Sequence, residues 1–129
     1  MNPLTKRVIT GTTGELLVQL RLFQYGVQAA PPLKDSGNDL IAVRGETFRS
    51  VQVRTTGNED GKWDLPKDRR YHVLALVRLR GHDNDLWLDE CEIYLIDRET
   101  VEAGGFNLRA PGDEHKISQD LVDHLIPAT

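Results

Sequence analysis

The stretch Ser36–Thr56 reads SGNDLIAVRGETFRSVQVRTT and predicts the centre of the fold. Two runs rich in β-branched and apolar residues flank the pair Gly45-Glu46, which is the pattern of a β-hairpin. A two-residue loop with glycine first is typical of a type II′ turn. We therefore expect two adjacent antiparallel strands, joined by a tight turn.

The register of this hairpin predicts a cluster of polar side chains at the end away from the turn. A two-residue turn places Arg44 opposite Thr47, and counting back along both strands places Asp39 opposite Gln52. Side chains alternate between the two faces of a strand, so Arg54 shares the face of Gln52. A carboxylate, an amide and a guanidinium then meet, and a sheet needs none of them for packing. Simpler interpretations are a turn residue that starts a strand for Asp39, and a solvated polar face for the other two.

A helix is predicted before the hairpin. Residues 12–15, TTGE, match a capping box with Thr12 as the N-cap, so the helix spans Thr13–Tyr25 and ends at Gly26. Glu15 lies beside the apolar face, where its carboxylate either reaches over the edge of the sheet or only closes the capping box. The inward face is predicted to carry Leu16, Leu17, Leu20 and Phe23.

The polar cluster has the chemistry of a divalent-metal site. Mg²⁺ prefers hard oxygen ligands, and the cluster offers the Asp39 carboxylate, the Gln52 amide oxygen and the backbone carbonyl of Val53. Glu15 supplies a second carboxylate from the helix. Arg54 is suited to hold a phosphate oxygen with two parallel hydrogen bonds.

Further along the chain, the patterns predict an irregular excursion over residues 55–70 and then a buried strand. The apolar run Val73–Val77 suits a strand that is covered on both faces. Another strand, Glu92–Ile96, is followed by a short helix, Arg98–Ala103, and a closing helix, Ser118–Ile126. This order predicts an α/β or α+β sheet with helices packed against it. The excursion carries a basic cluster, which either lies in solvent or contacts a nucleic-acid backbone: Lys62, Lys67, Arg69 and Arg70.

Composition predicts one soluble domain over residues 1–129. The chain is 39% hydrophobic and 28% charged, and no apolar run approaches the roughly 20 residues of a membrane span. The single cysteine, Cys91, excludes an intrachain disulfide and favours a reducing, cytoplasmic compartment. A net charge of −4 argues against coating nucleic acid by bulk charge, but it is compatible with a local basic groove.

Three motifs carry a resemblance to a known family. They are Gly14-Glu15 on the first helix, GNDLI at residues 37–41 and VQVRTT at residues 51–56. Together, over roughly residues 11–100, they resemble the PD-(D/E)XK nuclease superfamily, which includes restriction endonucleases, Holliday-junction resolvases and some homing endonucleases. The resemblance implies a restriction-endonuclease-like mixed sheet of about four to five strands flanked by helices.

The resemblance also implies a role for each matching residue. Glu15 and Asp39 would bind Mg²⁺ or Mn²⁺, and Gln52 would complete the metal shell. Arg54 takes the position of the family's lysine and would stabilise charge in the transition state. The implied function is a metal-dependent DNA endonuclease. Fold-level analogy suggests a homodimer, because cutting both strands usually takes two sites.

Two departures from the family pattern leave a second function open. Gln52 replaces the commoner acidic residue and lowers the negative charge of the site. Arg54 stays protonated up to a pH of about 12, so it cannot act as a general base. The alternative is a catalytically silent member of the fold that binds nucleic acid or serves in assembly. A third hypothesis, a protein-interaction domain, predicts a flat, open sheet face with Glu15 far away.

Overall fold

A five-stranded mixed sheet forms the centre of the computed structural model, which describes residues 4–34, 39–67, 70–82 and 85–128. The strands are β1 (Gln28–Ala30), β2 (Leu40–Arg44), β3 (Thr47–Thr56), β4 (Val73–Arg78), β5 (Gly81–His82), β6 (Asp85–Leu86) and β7 (Glu92–Asp97). Across the sheet they run in the order β1-β2-β3-β4-β7; β3 and β4 are parallel, and the other neighbouring pairs are antiparallel. A separate two-stranded hairpin pairs β5 with β6.

Three α-helices in the described ranges flank this sheet, which confirms the predicted α/β class. They are α1 (Lys6–Gln24), α2 (Arg98–Ala103) and α3 (Gln119–Leu125). The side chains of Asp97 and Ser118 cap α2 and α3 by accepting from the backbone N–H of Thr100 and Leu121. No described helix is both long enough and apolar enough to cross a bilayer.

The predicted hairpin register is confirmed. Arg44 pairs with Thr47, and Leu40 pairs with Val51. Gly45 has φ of 61°, the left-handed value that the first residue of such a tight turn requires. The next pair in this register is Asp39 with Gln52, which places the predicted polar cluster at the open end of the hairpin.

The sheet is covered on both faces. On one face, buried side chains of α1 and α3 pack against every second residue of β2, β3, β4 and β7. On the other face, Trp63 and Tyr71 from the segment between β3 and β4 pack with Val101 of α2. Strand β4 is buried along its whole length, as the apolar run Val73–Val77 predicted. Gln52 and Arg54 alternate with Val51 and Val53, so they point to the face of Trp63.

Helix α1 begins earlier than the sequence predicted. Its N-cap is Thr5, whose Oγ1 accepts from the backbone N–H of Val8 at 3.2 Å. The capping box with Thr12 is therefore wrong, because Thr12 lies inside the helix. Gly11 also lies inside the helix, because glycine costs only about 1 kcal/mol relative to alanine in a helix interior and the other residues of this long helix offset that cost. Glu15 consequently lies in the middle of a long helix and has no capping role.

The inward face of α1 also differs from the prediction. The residues that α1 buries are Gly14, Leu17, Val18 and Leu22. Leu16, Leu20 and Phe23 are instead 58%, 47% and 66% exposed. Helix α1 thus has two apolar stripes, of which the one that contains Gly14 faces the sheet. Gly14 explains this choice, because the backbone is so close to β3 there that a Cβ would lie 1.8 Å from Oγ1 of Thr55. Only the stripe that contains this glycine lets the helix backbone approach β3 closely.

Candidate active site

A cleft of about 810 Å³ lies at the carboxyl end of β3. The beginning of α1 forms one side, the end of β3 forms the floor, and the loop that follows β3 forms the other side. Three of the four predicted catalytic side chains, Glu15, Asp39 and Arg54, line it. The other lining residues are Lys6, Arg7, Thr10, Gly11, Val53, Thr55, Thr56, Gly57, Lys62, Trp63 and Asp64.

Asp39 is fixed by two hydrogen bonds from β3. Its Oδ2 accepts from Nε2 of Gln52 at 2.9 Å and from the backbone N–H of Val53 at 2.8 Å. Both bonds go to the same oxygen, and Oδ1 accepts none from the described residues. The carboxylate is thus held in one orientation, with one oxygen committed to the strand and the other available to the cleft.

Gln52 is the most unusual residue of the site. Its side chain is only 2% exposed, and its Oε1 is buried without a hydrogen-bond partner among the described residues. An unpaired buried oxygen of this kind costs about 1–3 kcal/mol. Because Nε2 is committed to Asp39, the amide orientation that leaves Oε1 unpaired is fixed. An acceptor-only oxygen next to a carboxylate is suited to a cation.

Arg54 and Glu15 reach the same cleft from different elements. Arg54 extends from β3, and its buried Nε has no partner within the described ranges. Glu15 extends from α1 on the opposite face of the sheet, and it reaches the cleft because Gly14 brings the helix close to Thr55. The prediction that Glu15 reaches over the edge of the sheet thus has a structural basis.

The donor set fits a hard divalent cation. Asp39 and Glu15 bring carboxylates, and Gln52 brings the unpaired amide oxygen. Across the part of the chain that the structure describes, no three His, Cys, Asp or Glu side chains come together as metal ligands. A cation here would therefore depend on the amide oxygen, and on a main-chain carbonyl such as that of Val53, in addition to the two carboxylates.

Cationic side chains stand on both sides of the cleft. Lys6 and Arg7 project from the first turn of α1, and Lys62 projects from the loop after β3. With Arg54 they give four cations against the carboxylates of Glu15, Asp39 and Asp64. Lys6 and Arg7 were not predicted as site residues, because the predicted helix began only at Thr13. The sequence pattern that could have identified them is a basic pair directly after Thr5, a residue type that commonly caps a helix N-terminus.

The predicted basic cluster does not stay together. Of its members within the described residues, Lys62 alone lines the cleft. Lys67 is exposed and lies outside that lining, and Arg69 falls outside the described residues. Arg70 lies in a different depression, together with His72, whose Nδ1 accepts from the backbone N–H of Ser50 at 3.0 Å.

The simpler interpretations of the polar cluster do not match this geometry. A solvated face would expose Gln52, which is buried, and an isolated turn residue would not bond the neighbouring strand as Asp39 does. The flat, open face expected of a protein-interaction domain is absent here, because Glu15 and Arg54 share a recessed cleft. Trp63 is buried beneath this cleft as a packing residue.

Comparison with known proteins supports the fold. No protein-family model matches this chain, and no curated protein matches its sequence. The solved structure of a bacterial homing endonuclease, I-Ssp6803I, superimposes with a TM-score of 0.59 and 14% sequence identity. The match covers 95% of this chain and 91% of that chain. The chain therefore has a fold similar to that of this homing endonuclease.

Proposed function

We propose that this chain is a metal-dependent DNA endonuclease of the PD-(D/E)XK type, which hydrolyses phosphodiester bonds. The observation that carries the proposal is the buried, unpaired Oε1 of Gln52 beside a fixed Asp39. A fold similar to that of a homing endonuclease and a cleft with cationic sides support it.

The residues that would hold Mg²⁺ or Mn²⁺ are Glu15, Asp39, Gln52 and the carbonyl of Val53. Such a cation supplies charge neutralisation at a phosphate and lowers the pKa of a bound water. Val53 and Gln52 contribute a second effect through the hydrogen bonds to Oδ2, which keep the Asp39 carboxylate oriented. Orientation of this kind lowers the reorganisation needed when the substrate reacts.

Arg54 would bind a non-bridging oxygen of the scissile phosphate. A guanidinium group is a permanent cation, so it would stabilise negative charge and would not serve as the base for the attacking water. Family members with lysine at this position have a side chain that can lose its proton. We therefore expect slow hydrolysis, with a rate that is limited by the removal of that proton.

Lys6, Arg7 and Lys62 would bind phosphates of the DNA backbone on either side of the scissile bond. Contacts of this kind position a duplex and carry no sequence information. They also compensate locally for the net charge of −4. A cleft with cations on two sides fits a phosphodiester chain that passes across β3.

A homodimer belongs to the same proposal, because one cleft cuts one strand. The outer face of α1 exposes Leu16, Leu20 and Phe23 along one stripe. The groove beside this stripe is lined mainly by apolar residues of β1 and β2, with Gln28 as a polar member. The neighbouring residues on that helix face, Thr12 and Gln19, are uncharged. A second copy of the chain is the occupant that the proposed double-strand cleavage requires.

The decisive experiment is a cleavage assay with Mg²⁺, Mn²⁺ or EDTA on plasmid, single-stranded and branched DNA. The Asp39→Asn variant keeps the size of the side chain and loses the charge, so it should lose cleavage while its unfolding temperature stays close to wild type. Glu46→Ala, in the exposed hairpin turn, is the matched control and should cut normally. Cleavage by Asp39→Asn at the wild-type rate would contradict the proposed site.

The second candidate is a catalytically silent domain that binds nucleic acid. The pair Gln52 and Arg54 favours it, because a neutral amide and a permanent cation replace two residues that the chemistry commonly uses. DNA binding by a folded protein that neither cuts nor gains stability from millimolar Mg²⁺ would favour this function.

A further inference from the structure

The loop that carries Lys62 is held by one buried arginine of β4. Arg78 is only 3% exposed, and its Nη1 donates to the carbonyls of Asn58 at 2.7 Å and Gly61 at 3.0 Å. Its Nη2 donates to the carbonyl of Arg109 at 2.7 Å. One guanidinium therefore joins the loop after β3 to a second loop, near residue 109.

The same guanidinium also holds the residue that follows Lys62. It stacks on the ring of Trp63, with Cζ 4.2 Å from the ring centroid. The indole is fixed further, because Nε1 donates to the carbonyl of Val77 at 3.0 Å and the backbone N–H donates to the carbonyl of Leu108 at 3.3 Å. Arg78 thus contacts both Gly61 and Trp63, the neighbours of Lys62 in the chain.

Packing alone does not explain an arginine at this position. No carboxylate forms an ion pair with Arg78 in the described part of the chain; Glu92 pairs with Arg80 instead. A buried charge without such a partner is costly, and an apolar side chain of similar volume would fill the space at no such cost. The planar fork of donors, however, matches three carbonyls and an aromatic face at once.

We infer that Arg78 is the positioning residue for the cationic side of the cleft, and that it fixes Lys62 where a phosphate of the nucleic-acid backbone binds. The inference rests on the proposed function for the identity of the ligand. It adds a residue that lies outside the cleft lining, on the strand next to β3. Lys62 would act directly on the phosphate, whereas Arg78 would act through the loop.

The first test measures how well the loop that carries Lys62 is protected from trypsin in the absence of any ligand. Trypsin can cleave after Lys62 only if the loop leaves its position, because Trp63 is buried. Arg78→Lys keeps the charge but loses the fork and the stacking, so we expect rapid cleavage after Lys62 in a protein that remains folded by circular dichroism. Arg98→Lys is the matched control and should stay protected, because Arg98 is a half-buried arginine of α2 that pairs with Glu102 and stacks on Tyr71. A loop that remains protected in Arg78→Lys would overturn the inference, whether or not the protein binds DNA.

The second test is a double-mutant cycle on the salt dependence of DNA binding. One lost phosphate contact lowers the slope of log K against log salt by about 0.9. We expect Lys62→Ala and Arg78→Lys each to lower the slope by this amount, and the double variant to lower it no further. Additive losses would show that Arg78 does not act through Lys62. Absence of DNA binding in the wild type would contradict the proposed function and leave the trypsin result to decide the inference.

A third variant covers the case in which Arg78→Lys fails to fold. Gly61→Ala would place a Cβ 2.6 Å from Oγ1 of Thr56 and 2.9 Å from Cβ of Asn58, so it displaces the loop from within and leaves Arg78 in place. We expect the same trypsin cleavage and the same loss of slope. A folded Gly61→Ala variant with the trypsin protection and the salt slope of wild type would contradict the inference, because the phosphate contact of Lys62 would then not depend on the position of the loop.

Discussion

At the scale of single residues, Gln52 distinguishes the proposed metal site from one that is built of carboxylates alone. The amide donates to Asp39 and keeps one oxygen unpaired, so the cation-free protein is relieved of the repulsion that a second buried carboxylate would bring. At the proposed metal site, the neutral amide would therefore bind a cation more weakly than a carboxylate, but it would stabilise the protein without metal.

The neutral amide therefore leads to a prediction for the stability of the Gln52→Glu variant with and without metal. In EDTA the variant should be less stable than wild type by about 2–4 kcal/mol, because two carboxylates meet in a buried position and the hydrogen bond to Asp39 is lost. Mg²⁺ should restore more stability to Gln52→Glu than to wild type. Thermal unfolding in EDTA and in Mg²⁺ measures both effects.

Gln52→Ala is the control for that experiment. It removes the amide oxygen without adding a charge, so Mg²⁺ should stabilise it less than it stabilises wild type. Equal stability of Gln52→Glu and wild type in EDTA, with no response to Mg²⁺, would contradict the assignment of a metal to this position.

A second residue-scale prediction concerns Glu92 and acid unfolding. Burial alone would raise the pKa of Glu92, but hydrogen bonds from Tyr94 and Arg80 outweigh it and hold the pKa below its ordinary value of 4.5. A carboxylate with a lowered pKa in the folded state stabilises the protein above the unfolded value and loses that contribution as the pH falls through the folded value. Unfolding temperatures of wild type and Glu92→Gln should therefore converge below pH 4.5. A gap that stays constant from pH 6 to pH 3 would contradict this.

At the scale of elements, the hairpin and α1 show which features could be predicted from the sequence and which could not. The hairpin register could be predicted on the assumption of a two-residue glycine turn, because a loop of odd length would have shifted the pairing. The structure confirms that turn, and the opposition of Asp39 and Gln52 follows from it. Helix α1 offers two apolar stripes of similar strength, one through Leu16 and one through Val18. Helical periodicity cannot choose between them, because the choice depends on how close the backbone comes to β3 at Gly14.

The close contact of α1 with β3 predicts opposite effects for two glycines of the same helix. Gly14→Ala should destabilise the protein by about 1–3 kcal/mol, since the new methyl overlaps Thr55. Gly11→Ala should stabilise it by about 0.5–1 kcal/mol, because a Cβ there meets no atom within 4 Å and alanine favours the helix. Urea midpoints measure both. A stabilising Gly14→Ala would contradict the packing described for α1.

The lining of the cleft shows a second limit of sequence reasoning. Lys62 was predicted within a basic cluster, and the cluster separates because the chain between β3 and β4 travels from one end of the sheet to the other. Arg78 gave no local signal at all: a charged residue that follows an apolar strand is usually solvated. Its burial depends on two loops that meet only in the folded chain.

At the scale of the whole molecule, the exposed apolar stripe of α1 bears on the proposed homodimer. Sedimentation velocity on the wild type should show dimers at micromolar concentration, and Leu20→Asp should give monomers, because a charge in the middle of an apolar contact is costly. Leu33→Asp, at an exposed leucine off the helix, should leave the dimer intact. A monomeric wild type at these concentrations would refute the dimer and leave the cleft assignments standing.

The parallel pairing of β3 and β4 also affects the order in which the chain folds. The β2–β3 hairpin is local and can form within microseconds, whereas β4 pairs only after residues 57–72 have returned along the length of β3. The first pairing brings Asp39 next to Gln52, while Lys62 and Arg78 come into place with the second. On the pathway from the denatured chain, the contact between Asp39 and Gln52 should therefore form before Lys62 reaches the cleft. An intermediate trapped early would bring together the proposed cation ligands of the hairpin while the loop side of the proposed DNA surface was still missing.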